Sequence, residues 1–168
     1  MNDVTIREQA EAASAAAKKL AGVSAAVKNE ALCRMAAALL QQQTEILAAN
    51  AEDMATGKEK QLKDSLLDRL LLSPERLADM AEGLRQVAAL QDPVGEIIGG
   101  STLPNGLTVT KIRVPLGVIG IIYEARPNVT VDIASLCLKS GNACVLRGGK
   151  EAIHTNKKLV EIMKCATK

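Results

Sequence analysis

The chain has 168 residues, a formal net charge of +2, and a composition that is 48% hydrophobic and 24% charged. This composition is typical of a globular protein of one domain or slightly more, and it argues against intrinsic disorder. The chain contains one tyrosine and no phenylalanine or tryptophan. Because the net charge is small and base-stacking side chains are scarce, nucleic-acid binding is not expected.

The N-terminal segment and the hydropathy pattern argue against export or membrane insertion. Residues 1–20 include Asp3, Glu8 and Glu11 and lack the apolar centre of a signal peptide. No run of about 18 apolar residues occurs, so no membrane-spanning helix is expected. We therefore predict a cytoplasmic protein that does not act at a membrane.

Residues 1–91 are predicted to form helices. Residues 10–20 are rich in alanine, and Ser24 is a suitable N-cap for the next helix. Asn50 is predicted to cap a short helix that ends near Gly57. Ser73-Pro74-Glu75 combines a capping serine, a proline at the first helical position and an acid near the positive end of the helix dipole. The apolar residues with helical spacing are Leu32, Met35, Ala36, Leu39, Leu40, Ile46, Leu47, Leu77, Met80, Ala81, Leu84, Val87 and Ala88.

Strand and turn signals replace this helical pattern after residue 91. Residues 92–115 are predicted to form an extended segment in which Pro104-Asn105-Gly106 makes a hairpin turn and residues 107–114 form a half-exposed ribbon. Residues 117–123 are continuously apolar and β-branched, which predicts a strand buried on both faces. A helix over residues 131–139 should end at Gly141.

A buried strand over 143–146 and a helix over 153–163 should complete residues 116–168. This strand–helix–strand–helix order predicts an α/β fold with parallel strands joined by crossover helices. Two strands fall short of the usual sheet of about five or six. The sheet is therefore expected to be incomplete, which suggests that the chain is a piece of a longer protein. An uncovered strand favours association, so we expect a homodimer or higher homo-oligomer.

The cysteines are predicted to be reduced structural residues. They form no CxxC pair, and the chain has one histidine, His154, so no metal site is predicted. Cys33 and Cys137 lie in apolar patterns that predict buried thiols. His154 lies at a predicted helix start, where a surface or capping role is expected.

Two stretches of the second half carry a family resemblance. Residues 114–132, which include Tyr-Glu-Ala-Arg-Pro-Asn-Val-Thr, and residues 139–151, which include Leu-Arg-Gly-Gly-Lys-Glu, resemble the aldehyde dehydrogenase superfamily. Their sequences, together with those of residues 70–77, 92–96 and 103–107, are similar to the gamma-glutamyl phosphate reductase family. The resemblance implies a Rossmann-type cofactor domain, of which residues 1–91 would be the helical part.

The resemblance also implies a binding site for NADP. Ligands of open α/β sheets bind at the carboxyl ends of strands, which places Tyr123, Glu124 and Ala125 after the first strand and a second loop after the next one. In that second loop the basic residue that contacts the adenosine ribose corresponds to Arg147, and Lys150 would favour the additional phosphate of NADP. Gly148 and Gly149 would let the backbone approach the ligand. The residues alone also allow a turn with solvated charges.

Arg126 and Asn128 are the candidate substrate-binding residues. Arg126 could hold a carboxylate or a phosphate, and Asn128 could donate to a developing oxyanion. Asn128 could equally be the N-cap of the helix that follows. The resemblance implies L-glutamyl 5-phosphate as the small-molecule substrate and a functional partnership with glutamate 5-kinase in proline biosynthesis.

Three classes of function remain open from the sequence. The resemblance implies that a cysteine beyond residue 168 displaces phosphate and that NADPH reduces the thioester, so no catalytic residue is expected in this chain. A second hypothesis is that the protein is another member of the superfamily, with a different acyl phosphate or aldehyde as its substrate. The third is an interaction module that uses the hairpin at residues 103–114 for subunit contacts.

Overall fold

The computed structural model describes residues 5–167. Residues 1–4 and Lys168, which are the outer ends of the predicted parts 1–91 and 116–168, lie outside the described residues. The helices of the first half are α1 (Ile6–Leu20), α2 (Ala25–Gln41), α3 (Gln43–Glu59), α4 (Asp64–Leu70) and α5 (Pro74–Ala89). The elements that follow are β1 (Ile97–Thr102), β2 (Thr108–Ile112), β3 (Val118–Ile122), α6 (Pro127–Lys139), β4 (Ala143–Arg147), a 3-10 helix (Lys150–Ala152) and α7 (Ile153–Ala166). The α/β fold is confirmed.

The predicted helix starts at Ser24 and Ser73 are confirmed. The Ser24 hydroxyl accepts a hydrogen bond from the Val27 N–H at 3.4 Å, and the Ser73 hydroxyl accepts one from the Arg76 N–H at 3.2 Å. In each case the side chain pairs with one of the amide groups that a helix leaves without a partner in its first turn. Each helix start therefore depends on a side chain and a backbone amide that are only three positions apart.

The predicted capping role of Asn50 is wrong, because Asn50 lies in the interior of α3 and is buried. Its amide donates to the Leu70 carbonyl at 2.9 Å and accepts from the Leu72 N–H at 2.8 Å. Asn50 thus fixes the chain that leaves α4, a helix that the sequence did not predict. The apolar stripe that runs through Leu47 belongs to two helices, since α2 ends at Gln41.

The predicted turn at residues 104–106 is confirmed, and it joins β1 and β2 into an antiparallel hairpin. Gly106 has a φ of 85°, and its N–H donates to the Leu103 carbonyl at 2.8 Å. This is a three-residue loop closed by a left-handed glycine. The prediction of a half-exposed ribbon is wrong, because every residue of β2 is exposed. The rest of the described chain covers neither face of the hairpin.

Strands β3 and β4 are parallel and in register from Val118 opposite Ala143 to Ile122 opposite Arg147, with α6 as the crossover. The prediction that the first strand is buried on both faces is wrong, since Ile122 is 81% exposed. Strand β4 is half-buried, rather than buried as predicted, and α1 and α6 pack against it. Within the described residues β3 pairs with no strand other than β4, so its outer side has no cover.

The predicted end of α6 at Gly141 is confirmed. Gly141 has a φ of 74°, and the Asn142 N–H donates to the Cys137 carbonyl at 2.8 Å. The Gly141 N–H donates to Leu138, which completes the Schellman arrangement that ends many helices. The chain can therefore turn directly from α6 into β4.

One aliphatic core joins the two halves of the chain. The helices α2, α3 and α5 share it with α6 and α7, so the first helices and the βαβα segment bury apolar surface together. The fully or nearly buried members are Leu32, Ala36, Leu39, Ile46, Leu77, Ala81, Leu84, Val131, Leu159 and Ile162. The division at residues 91 and 115 into a helical part, a hairpin part and a βαβα part stays a prediction.

A buried ionic cluster ties α2 to the chain that follows α5 and to α6. The Lys28 ammonium, which is 1% exposed, forms an ion pair with Asp92 and donates to the Lys139 carbonyl at 3.2 Å. The Lys139 ammonium donates to the Ala88 carbonyl at 2.8 Å and to the Asn29 amide oxygen at 2.6 Å. Both cations are therefore compensated, as buried charges must be.

The prediction of a buried Cys33 is wrong, because this residue is on the exposed side of α2, whereas Cys137 is buried as predicted. Between residues 5 and 167, no helix has both the length and the apolarity needed to cross a lipid bilayer. The same part of the chain contains no group of three or more histidine, cysteine or acidic residues placed to hold a metal ion.

Candidate functional site

The loops after β3 and β4 meet at one edge of the parallel pair. The carboxyl ends of parallel strands lie at the same edge, and the Tyr123 N–H donates to the Arg147 carbonyl at 3.1 Å, which continues the ladder by one residue. Residues 123–125 and 147–150 are consequently neighbours. This contact between the two loops is called the loop seam below.

Gly148 and Gly149 allow the loops to approach closely. A Cβ atom on Gly148 would lie 2.5 Å from the Asn156 amide nitrogen and 3.1 Å from the Tyr123 hydroxyl oxygen. One on Gly149 would lie 2.6 Å from a carboxylate oxygen of Glu151 and 3.2 Å from the Ala125 nitrogen. The chain itself thus fills the space that the absent side chains leave.

Polar side chains stabilise the seam from the helix side. The Tyr123 hydroxyl is hydrogen-bonded to the Thr130 hydroxyl at 2.6 Å, and Thr130 donates to the Asn156 amide oxygen at 2.9 Å. Burial raises the pKa of Tyr123, although the hydrogen bond with Thr130 opposes this. Tyr123 therefore serves as a neutral link between the first loop and α6.

Arg147 and Lys150 provide positive charge at the seam. Both residues are exposed, and within residues 5–167 neither side chain has a hydrogen-bond or ion-pair partner. Uncommitted cations of this kind are suited to a phosphate group. Glu124 is exposed as well, and its carboxylate pairs with Arg69 of α4 at 3.3 Å, while Ala125 is buried.

The Asp53 carboxylate of α3 caps the N-terminus of α7, a role that was not predicted from the sequence. Its carboxylate accepts hydrogen bonds from the N–H groups of His154 at 3.2 Å and Thr155 at 2.8 Å, and from the Thr155 hydroxyl at 2.6 Å. No side chain at Ala152 caps this helix. Because Asp53 is about 100 residues away in sequence, only the missing local cap could have indicated it.

This cap limits where an anion can bind. A helix N-terminus following a parallel strand is a common phosphate site, but at α7 the first-turn amides already bind a carboxylate. A phosphate at the seam would therefore meet the side chains of Arg147 and Lys150 rather than the end of α7. His154 is exposed, and its imidazole lies 3.4 Å from the Glu52 carboxylate, in agreement with the expected surface role.

Arg126 and Asn128 lie in a separate groove of about 380 Å³ between α4, α5 and the first turns of α6. The other residues that line this groove are Asp68, Arg69, Leu71, Leu72, Arg76, Asp79, Met80 and Asp132. The loop seam does not contribute Tyr123 or residues 147–150 to this lining. The candidate residues thus divide into a seam set and a groove set, which Glu124 and Arg69 connect.

Asn128 is not the N-cap of α6; that alternative is wrong, because Arg126 takes the N-cap position and Pro127 is the first helical residue. The Asn128 amide instead donates to the Asp132 carboxylate one turn later at 3.3 Å. Burial raises the pKa of Asp132, and the hydrogen bond from Asn128 acts in the opposite direction. Within the described residues no side chain caps α6.

The thiols of Cys137 in α6 and Cys144 in β4 shift each other's pKa. A hydrogen bond from Cys137 lowers the pKa of the Cys144 thiol to about 7, against the effect of burial, and the pKa of Cys137 is correspondingly raised. Neither cysteine lines the groove. A catalytic thiol also needs access to its substrate, which Cys137 lacks because it is buried.

Comparison with known proteins identifies the class. The model of the aldehyde dehydrogenase family matches residues 1–167, so this chain belongs to the aldehyde dehydrogenase family. An aldehyde dehydrogenase from Listeria monocytogenes, described as probable, has the same fold, with a TM-score of 0.65 at 16% identity over 96% of this chain and 33% of that chain.

More similar relatives carry a more specific name. The gamma-glutamyl phosphate reductase of Moorella thermoacetica is 58% identical over 158 residues, which are 94% of this chain and 38% of the relative. The crystal structures of the gamma-glutamyl phosphate reductases of Thermotoga maritima and Saccharomyces cerevisiae match with TM-scores of 0.92 and 0.90, at 41% and 35% identity. These matches cover 95% and 97% of this chain, and 39% and 42% of those chains. The chain thus spans about two-fifths of the length of these relatives.

Proposed function

We propose that the protein to which this chain belongs reduces L-glutamyl 5-phosphate to L-glutamate 5-semialdehyde with NADPH, in proline biosynthesis. The observation that carries the proposal is the loop seam, where two strand-end loops meet and present Arg147 and Lys150 without partners in the described chain. The names of the relatives from Moorella and Thermotoga support the substrate. The proposal also includes a cytoplasmic location.

In this proposal the seam binds the adenosine end of the cofactor. Arg147 and Lys150 would hold the ribose and its phosphate, with Tyr123, Glu124, Ala125 and Gly148-Gly149 forming the surface beside them. The exposed, unpaired state of both cations fits a phosphate, and the cap on α7 directs the phosphate toward their side chains. The nicotinamide, when bound, supplies the hydride. Glutamate 5-kinase would supply the acyl phosphate.

The proposal assigns no catalytic residue to this chain, and we expect the isolated chain to show no reductase turnover. NADPH-dependent turnover by the purified chain that is lost on changing one of its cysteines would contradict this assignment. We further propose self-association through the exposed hairpin of β1 and β2, whose apolar residues include Val109 and Ile112. Sedimentation measurements over a range of concentrations test this; a monomer at every concentration would argue against it.

A chimera tests the function directly. This chain would replace the matching segment of the Moorella thermoacetica relative, and activity would be followed from L-glutamate 5-semialdehyde, phosphate and NADP. We expect activity within about tenfold of the parent. In the chimera, Arg147→Gln and Lys150→Gln should each raise the KM for NADP about tenfold or more, because each removes a charge-assisted contact. The KM for NAD should change much less with Lys150→Gln.

Lys157→Gln is the matched control, because Lys157 is an exposed cation on α7 outside the seam. It should leave both KM values unchanged. A folded chimera without activity on L-glutamate 5-semialdehyde would contradict the proposed substrate. Equal loss with both cofactors in the Lys150 variant would contradict the role of that residue in recognising the extra phosphate.

A further inference from the structure

The groove beside α6 contains three arginines, but two of them are already neutralised by the chain. Arg69 pairs with Glu124 at 3.3 Å. Arg76 pairs with Asp68 at 2.7 Å and also donates to the Leu71 carbonyl at 2.7 Å. These pairs link α4 to the loop after β3 and the start of α5 to α4. They leave little charge for a ligand.

The remaining charges of the groove are one cation and two carboxylates. Within the described residues, the guanidinium of Arg126 and the carboxylate of Asp79 have no hydrogen-bond or ion-pair partner. The carboxylate of Asp132 accepts only from the neutral amide of Asn128, at 3.3 Å. The groove thus offers one unpaired cation, Arg126, and two carboxylates, Asp79 and Asp132, that have no counter-ion in the described chain.

This distribution distinguishes the two ends of an acyl phosphate of an amino acid. A phosphate dianion would face two carboxylates and a single cation, and like charges at close range are unfavourable. The amino-acid end carries one carboxylate and one ammonium group, which are opposite in sign to Arg126 and to the carboxylates of Asp79 and Asp132, respectively. The uncapped N-terminus of α6, next to Arg126, adds partial positive charge for the carboxylate.

We propose that this groove binds the amino-acid end of the substrate, with Arg126 holding the α-carboxylate and Asp132, with Asp79, holding the α-ammonium group. The inference rests on the proposed function and extends it, because it assigns substrate specificity to an ammonium contact. It also decides between the two ligands that the sequence left open for Arg126. Leu72 and Met80 form the apolar part of the wall, against which the methylene groups of the ligand would lie.

The test is a ¹⁵N NMR titration of the chain with L-glutamate, with glutarate, which lacks the ammonium group, and with 4-aminobutyrate, which lacks the α-carboxylate. L-glutamate should shift the amide signals of Asn128 and Asp132 and bind about tenfold or more tightly than either analogue, because each analogue loses a charge-assisted contact. Arg126→Gln and Asp132→Asn should each weaken L-glutamate binding by a similar factor. Both positions are exposed, so folding should be retained.

Arg85→Gln is the control, since Arg85 is an exposed arginine of α5 that pairs with Glu82 outside the groove. It should bind L-glutamate as the parent does. The absence of shifts at Asn128 and Asp132 up to the solubility limit of L-glutamate would overturn the inference. So would equal binding of glutarate, or tighter binding of inorganic phosphate to the same signals.

The two proposals fail separately. An active chimera together with a chain that does not bind L-glutamate would contradict the groove inference alone. Binding of L-glutamate with the expected preference, together with a folded but inactive chimera, would contradict the proposed reductase function and leave an amino-acid site.

Discussion

At the scale of single residues, the loop seam depends on two glycines, Gly148 and Gly149, which have no side chain. Gly148 faces a buried asparagine and the tyrosine ring, and Gly149 faces the backbone of the first loop. Gly83, on α5, has no atom within 4 Å of the position of its missing Cβ. The same added methyl group should thus have opposite effects at Gly148 and Gly83.

Gly148→Ala is expected to lower the free energy of unfolding by about 1–3 kcal/mol, because the new Cβ would overlap Asn156 and Tyr123, which are held by Thr130. Gly83→Ala is expected to raise it by about 0.5–1 kcal/mol, as alanine favours helix. Urea unfolding of the two variants measures both changes. Equal free energies for Gly148→Ala and the parent would show that the loops separate more readily than the structure indicates.

At the scale of secondary-structure elements, α3 and α7 are joined by buried polar groups. Asn50 donates to the Thr155 hydroxyl at 3.2 Å, and Asp53 accepts from Thr155 and from the His154 amide. Helix α7 has no capping side chain of its own. Its first turn therefore depends on a neighbouring helix.

Asp53→Ala is expected to destabilise the chain by about 1–3 kcal/mol, because it leaves buried donors of α7 without an acceptor. The neighbouring Glu52→Ala is the control: Glu52 and His154 are both largely exposed, and such surface pairs contribute about 0–1 kcal/mol. Thermal unfolding followed by circular dichroism, with amide hydrogen exchange at the start of α7, reports both. Unchanged exchange there in Asp53→Ala would contradict the capping role.

Helix ends that are defined by neighbouring residues could be predicted from the sequence. Ser24, Ser73 and Gly141 lie at their predicted helix ends, because a cap involves atoms only a few positions away. Interactions with distant partners could not be predicted. Asn50 forms hydrogen bonds with Leu70 and Leu72, and hydrophobic periodicity gives no information about such pairs.

The burial of individual elements could also not be predicted from the sequence. An apolar strand predicts a covered strand, but cover depends on which layers lie beside it, and β3 has little in the described chain. For the candidate site, the strand-end rule predicted that the two loops meet. It could not predict Asp53, the acidic groove residues Asp79 and Asp132, or the separation of Arg126 from Arg147, because these depend on how α3, α4 and α5 pack.

At the scale of the whole molecule, the ionic cluster of Lys28, Asp92 and Lys139 connects α2, the chain that follows α5, and α6, and it makes stability depend on pH. Burial alone would raise the pKa of Asp92, but hydrogen bonds from Lys28 and from the Val94 amide, with the charges of both lysines, lower it below its ordinary value of 3.8. The folded state therefore binds this proton less readily than the unfolded chain does.

The contribution of Asp92 is expected to be fully present above pH 3.8 and to be lost as the pH falls through the lowered pKa of the folded state. Asp92→Asn should flatten this part of the pH profile and cost about 3–5 kcal/mol at neutral pH, since it leaves the buried Lys28 charge without its counter-ion. Urea unfolding from neutral to acidic pH measures both effects. A parallel profile for the variant and the parent would contradict this account.

The loop seam also has an optical consequence, because Tyr123 is the single aromatic side chain of the chain. Any near-ultraviolet absorbance or intrinsic fluorescence of the polypeptide comes from a ring that lies beside Gly148 and whose hydroxyl is hydrogen-bonded to Thr130. A nucleotide that settled beside Arg147 would quench this emission without any label. The chain thus carries a built-in reporter at the place where its proposed ligand would bind.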